Sequence, residues 1–254
     1  MPTIRTSLGG KVLSSGRAAV MGVFTLGMLG GVQLHQALGP ERERYCIWQG
    51  WMKSWTRGLT ALFGVRPVMV GPLPPPPSGA RLVVANHRSP LDIALLLTYF
   101  GGHVLSRHDL AGWPVLGLAA RKSDTIFVDR ADPYSGIAAI RQVRLRLRQA
   151  KTVIVFPEGT TFEGDEVREF QGGAFTAARN VGVELFPVGI AYQPGSEFVD
   201  ETFMQHLGRV ASRPVTRVAL AFGRGRPATG THATMAVAMR DQVQELVRRA
   251  RRAL

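Results

Sequence analysis

The chain has 254 residues, enough for one full hydrophobic core and a small appended element. Its 31 Lys and Arg against 18 Asp and Glu leave a formal net charge of +13, mostly arginine, on an ordinarily hydrophobic chain, which excludes disorder and suits a surface that meets phosphates in lipid headgroups, nucleic acid or a phosphorylated substrate. A single cysteine, Cys46, excludes an internal disulfide and a cysteine metal cluster.

After Arg5, Lys11 and Arg17 no Asp, Glu, Lys or Arg occurs from Ala18 to Pro40. The apolar part, Ala18 to Leu34, is about 17 residues long, the lower edge for a spanning helix, and reads as a membrane-embedded anchor. A cleaved signal peptide, a soluble core helix and an interfacial or re-entrant helix are the alternatives; no clear Ala-x-Ala site follows the run. Residues 41–64 then place Ile47, Trp48, Trp51, Met52, Trp55, Leu59, Leu62 and Phe63 at three-and-four spacing, an amphipathic helix carrying three of the four tryptophans. Tryptophan favours the headgroup zone, so residues 1–70 read as a two-helix membrane-docking unit facing an anionic surface; the competing reading is a stripe that packs on the first helix or on the following domain. Positive residues ahead of the apolar run, with an arginine-rich domain after it, conflict with one crossing. A re-entrant or interfacial hairpin at the inner (cytoplasmic) membrane, with the main domain on the cytoplasmic face, removes the conflict.

Residues 71–79 contain four consecutive prolines, a stiff extended spacer, and the catalytic domain is set at 80–254. Beyond it, short apolar runs alternate with helical patterns. Strands are expected at Leu82–Ala85, His103–Ser106, Thr125–Val128, Thr152–Phe156, Leu185–Tyr192 and Arg217–Phe222. Helices are expected between them and at Thr231–Ala253. The fold class is α/β with a largely parallel central sheet, whose chemistry gathers at the strand C-terminal ends.

Three of those ends carry unusual polar residues. Asn86-His87-Arg88-Ser89-Pro90-Leu91-Asp92 joins the first strand to a helix. Ser89 can cap that helix, Pro90 suits its first position, and Asp92 can reach back. His87 then lies in the turn, where the Asp92 carboxylate can fix its tautomer and stabilise its charge, the chemistry of a general base; a plain cap with a polar turn residue is the alternative. Asp129-Arg130 ends a second strand, and Arg130 is a planar fork suited to a phosphate. Pro157-Glu158-Gly159-Thr160 ends a third; Glu158 can accept from a hydroxyl or pair with Arg130, and Gly159 allows close backbone approach.

Taken in order, the blocks NHRSPLD, IFVDR, FPEGT and FPVGI resemble those of the glycerolipid acyltransferase family, the 1-acylglycerol-3-phosphate acyltransferases and their relatives. The N-terminal helices are similar to the membrane-binding module of its bacterial members. The resemblance implies transfer of a fatty acyl group from acyl-CoA or acyl carrier protein to a lysophospholipid hydroxyl, 1-acyl-sn-glycerol-3-phosphate first, with no metal and no cofactor. It implies His87 as the base and Asp92 as its orienting partner. It also implies an acceptor site of Arg130, Glu158, Gly159 and Thr160, with Asn86 in the same turn as the base. Pro187 belongs to the pocket wall, and Arg107 stands where a lysine is common. Other members often carry a basic residue where this chain has Thr161-Phe162, and a lysine where it has Gln171-Gly172. These departures make a lyso-ornithine lipid or another lysolipid the alternative acceptor.

Other classes fit less well. The aromatics cluster in the N-terminal stripe and not among the arginines, and no nucleic-acid motif occurs. No Gly-x-Ser-x-Gly elbow for a serine hydrolase is present. A silent lipid-binding protein on the same fold would not need His87 and Asp92 together.

Overall fold

A computed structural model describes residues 8–108, 112, 116–122, 125–129 and 132–254. An N-terminal helical hairpin, α1 (Leu8–Leu38) and α2 (Arg44–Leu62), leads into β1 (Val65–Val70) and β2 (Arg81–Ala85). Then come α3 (Leu91–Phe100), β3 (His103–Arg107), α4 (Leu116–Lys122), β4 (Ile126–Val128), α5 (Pro133–Arg148) and β5 (Thr152–Val155). The chain closes with α6 (Gly173–Ala178), β6 (Glu184–Tyr192), α7 (Phe203–Ala211), β7 (Thr216–Phe222), β8 (Arg226–Pro227) and α8 (His232–Arg251).

The strands form one sheet in the order β1-β7-β6-β2-β5-β3-β4, with β8 beside β6. From β6 to β4 the pairing is parallel; β7 and β8 run antiparallel to β6, and β1 runs parallel to β7. Helices cover both faces, so the central strands are apolar throughout. Along β2, Leu82 and Val84 meet α5, α6 and α8, while Val83 and Ala85 meet α2 and α3. Gly189 in β6 shows how close this packing is: a Cβ there would lie 2.3 Å from the Leu246 carbonyl carbon of α8.

The expected strands are all present within a residue or so. Sequence reading misses the two-residue β8 and, more consequentially, β1, which precedes the proline stretch and pairs with β7, Val65 opposite Thr216. The sheet therefore begins on the N-terminal side of residues 71–79, and that stretch bridges two of its strands. Val-Arg-Pro-Val-Met-Val has a proline and an arginine inside it, which hides an edge strand from an apolar-run criterion.

The tryptophan stripe packs helix on helix. The Trp51 indole N–H donates to His35 Nδ1 at 3.1 Å and that of Trp55 to Thr25 Oγ1 at 3.1 Å. Gly31 lies under the Trp51 ring and Gly58 under that of Phe24, at distances a side chain would fill. The opposite face of α1 exposes Val20, Val23, Leu26 and Leu34. Over its 31 residues this helix is long and apolar enough to cross a membrane.

Candidate active site

At the end of β2 the chain is fixed before it turns. The Asn86 side chain donates to the Ile190 carbonyl and accepts from the Ile190 amide, both at 2.8 Å, tying β2 to β6. The turn then closes on one oxygen. Asp92 Oδ2 receives the Arg88 amide at 2.7 Å, the Ser89 amide at 2.9 Å and His87 Nδ1 at 2.8 Å. A carboxylate already holding two amides accepts a third proton, so Nδ1 carries the hydrogen and Nε2 keeps its lone pair. Asp92 is wholly buried in the first turn of α3, where the helix dipole favours an anion, while His87 is 17% exposed. The imidazole is stacked on Phe156, ring centres 4.1 Å apart.

A second carboxylate braces the same turn. Glu158 Oε2 accepts the His87 amide at 2.6 Å and Arg88 Nη1 at 2.9 Å, and Oε1 accepts the Arg168 amide at 2.9 Å. The remaining Arg88 donors reach the carbonyls of His87, Gly164 and Glu166. Arg88 and Glu158 are thus a buried pair in which every Arg88 side-chain nitrogen makes a hydrogen bond, the condition under which such a pair is tolerated. Both oxygens of this carboxylate are engaged within the protein.

Behind Ser89 lies another titratable cluster. Ser89 Oγ is 2.8 Å from His206 Nε2, and His206 Nδ1 is 2.7 Å from Glu201 Oε1. Arg209 grips the same carboxylate. Burial holds the His206 imidazole below its ordinary 6.5, against the raising effect of Glu201. Burial acts to raise Glu201, but the hydrogen bonds from Arg209 and His206 outweigh it and hold the carboxyl below its ordinary 4.5. Tyr192 completes the floor; burial, then the charge of Asp92, pushes its hydroxyl well above the ordinary range.

A cleft of about 990 Å³ opens from this turn. His87, Phe156, Glu158, Gly159, Thr160 and Thr161 line its polar end; Met21, Met52, Trp55, Leu59, Phe63 and Leu97 line an apolar end built from α1, α2 and α3. Gly159 has φ +84°, a turn conformation that favours glycine. The polar end can take hydrogen-bonding groups, and the apolar end can take an alkyl chain.

Of the residues singled out from sequence, His87, Asp92, Glu158, Gly159 and Thr160 come together. Asn86 is a buried strut, and Pro187 lies inside β6 against Gly223, away from the cleft wall. Arg130 and the side chain of Arg107 fall outside the described residues. Sequence reading missed Arg88 and the cluster around His206. Arg88 had one signal: a charged residue between a strand and a cap, with a glutamate at the neighbouring strand end. His206 had none, since it meets Ser89 across more than a hundred residues of chain.

Comparison with known proteins gives three findings. A family model described as Acyltransferase matches residues 69–191. The chain is 32% identical over 213 residues to a lyso-ornithine lipid O-acyltransferase of Pseudomonas aeruginosa, with 78% of each protein covered, and 31% identical over 219 residues to one of Rhodobacter capsulatus, covering 78% of this chain and 76% of that protein. The crystal structure of a 1-acyl-sn-glycerophosphate acyltransferase from Thermotoga maritima superposes with a TM-score of 0.70 at 22% identity, over 94% of this chain and 92% of that one, a likeness of fold.

Proposed function

The chain belongs to the glycerolipid acyltransferase family, and on that premise we propose that it acylates the free hydroxyl of a lysolipid with His87 as general base. The observation that carries the reading is the Nδ1 to Asp92 hydrogen bond of 2.8 Å on a histidine that lines the cleft. The acceptor hydroxyl gives its proton to His87 Nε2 as its oxygen attacks the thioester carbonyl. Asp92 stabilises the imidazolium. The tetrahedral intermediate then expels the thiolate, which takes that proton from His87; an ester and a free thiol result. The oxyanion needs N–H donors. The amides of His87, Arg88 and Ser89 are spent on Glu158 and Asp92, and that of Gly159 on the Phe156 carbonyl, so the donors fall to the Thr160–Thr161 side of the turn.

Lyso-ornithine lipid is the acceptor we favour. Thr161 and Gln171 line the cleft at positions where many members of the family carry basic residues, and the two relatives described above are named for that acceptor. The second reading is 1-acyl-sn-glycerol-3-phosphate, the acceptor implied by the motif blocks. The donor is acyl-CoA or acyl carrier protein. The exposed apolar face of α1 docks the protein on a membrane, so that the lysolipid enters the cleft from the bilayer, with the catalytic domain on the cytoplasmic face of the inner membrane.

The test is thiol release from palmitoyl-CoA in mixed micelles, with lyso-ornithine lipid and lysophosphatidic acid as acceptors. His87→Ala and Asp92→Asn are expected to lower the rate by about 10²–10⁴-fold. Equal release by His87→Ala and the unmodified chain would remove His87 from the mechanism. Turnover confined to lysophosphatidic acid would move the acceptor and keep the chemistry.

A further inference from the structure

Ser89, His206 and Glu201 form a second hydrogen-bonded array next to His87 and Asp92. Glu201 is ionised and 2.7 Å from His206 Nδ1, so that nitrogen carries the proton even though Arg209 Nη2 lies 3.0 Å from it. His206 Nε2 then accepts the Ser89 hydroxyl proton at 2.8 Å. The order serine, histidine, carboxylate is that of an activated nucleophile. Its burial points elsewhere: Ser89 is 0% exposed and His206 2%, so a thioester carbonyl does not reach the hydroxyl. The Ser89 oxygen instead receives the Leu91 amide at 3.3 Å, and the Ser89 amide is one of the two that hold Asp92 Oδ2.

The helix that presents His206 is pinned at both ends. Thr202 and Gln205 close a reciprocal cap at its start. At its far end Arg17 of α1 donates to the carbonyls of Ala211, Arg213 and Pro214. The loop before it is tied to the catalytic turn, with the Phe198 amide donating to the Arg88 carbonyl at 2.7 Å. A side chain so constrained has one direction to point.

We propose that His206 is a positioning residue for acyl transfer: held by Glu201, it fixes Ser89, whose amide completes the grip on Asp92 and thereby sets the orientation of His87. The catalytic base is thus oriented by two linked pairs, Glu201–His206 and Asp92–His87, joined through Ser89. The inference rests on the reading of His87 as the base; Glu201 and His206 border the same cleft, and His206 acts through its hydrogen bond to Ser89.

Its test uses the full chain in mixed micelles with palmitoyl-CoA and lyso-ornithine lipid. His206→Leu removes the acceptor for Ser89; kcat is expected to fall about tenfold to a hundredfold with KM within about twofold, because the loss is of alignment and not of binding. In His206→Gln the amide oxygen can accept the same hydroxyl, and kcat is expected within about threefold of the parent. A second readout is the downfield proton resonance of the His87 Nδ1–H, identified by its loss in His87→Ala. It should move in His206→Leu and stay in His206→Gln. Full activity of His206→Leu, or a fall in rate matched by a fall in folded fraction with the His87 resonance unmoved, overturns the proposal. Covalent labelling of Ser89 by a fluorophosphonate overturns it in favour of a nucleophile. If the parent chain turns over no acceptor with either palmitoyl-CoA or palmitoyl-acyl carrier protein, the acyl-transfer reading falls, and the His87 resonance still decides whether His206 orients it.

Discussion

Glu158 Oε2 accepts the His87 amide at 2.6 Å and the Arg88 guanidinium at 2.9 Å, so the backbone of the proposed base and a buried cation share one oxygen. Removing the charge leaves Arg88 uncompensated in the interior. Glu158→Gln is therefore expected to cost about 3–5 kcal/mol, the range for breaking a buried pair. In a chain of this size that is a fall in melting temperature on the order of 10 °C. Replacing both members, Arg88→Met with Glu158→Leu, should recover part of that stability while activity stays low, because the His87 amide has lost its acceptor. Thermal melts beside thiol release separate the two effects; an unchanged melt for Glu158→Gln would show the pair to be energetically idle.

The turn from Asn86 to Asp92 is legible because its signals are local. Ser89, Pro90 and Asp92 mark a helix start, and an apolar run before them marks a strand end, so the His87–Asp92 contact follows from chain geometry alone. Parallel strands buried on both faces are equally plain as unbroken apolar runs. What stayed hidden depends on contacts distant in sequence. Arg88 reads as a turn charge until Glu158 is brought beside it, and β1 reads as a linker until β7 arrives to pair with it. The tryptophans of α2 show a different limit. Their spacing marks an amphipathic helix, but periodicity does not say what covers a face, and here α1 satisfies the indole N–H groups of Trp51 and Trp55, one of the two readings the stripe allows.

Acid should weaken the fold through the cluster behind Ser89. The folded His206 imidazole titrates below its ordinary 6.5, so the unfolded chain binds more protons just under that value. Its contribution to stability is complete above 6.5 and is lost as pH falls below it. Glu201, held below its ordinary 4.5, adds stability that is lost further down in acid, with the same sign. Denaturant midpoints measured from about pH 7 to about pH 5 should decline in the unmodified chain and decline less in His206→Gln. Parallel curves for the two would assign the acid sensitivity to other groups.

The outer face of α1 should be needed for membrane association and dispensable for folding. Val23 and Leu26 are 76% and 62% exposed, on the side away from α2. Aspartate there costs nothing in packing, but within a bilayer each carries a penalty of about 2.5–3.5 kcal/mol at mid-depth. Val23→Asp with Leu26→Asp is expected to abolish co-flotation with phosphatidylglycerol-containing vesicles while the melting temperature is kept. Undiminished co-flotation of the double variant would shift membrane contact to another surface.

The acceptor preference should respond to a single charge at the cleft. Gln171 lines it, and its amide is fixed by the Pro157 carbonyl at 2.9 Å, so the backbone there is held whatever the side chain. A lysine at this position supplies the cation that a phosphate monoester seeks and that the headgroup of an ornithine lipid, which carries its own amine, does not. A charge-assisted hydrogen bond adds about 1.5–3 kcal/mol, or roughly tenfold to a hundredfold in kcat/KM. Gln171→Lys is therefore expected to raise the ratio of kcat/KM for lysophosphatidic acid over lyso-ornithine lipid by that factor, with the His87-dependent chemistry intact. An unchanged ratio would place the headgroup away from Gln171 and leave acceptor choice to other residues around the cleft.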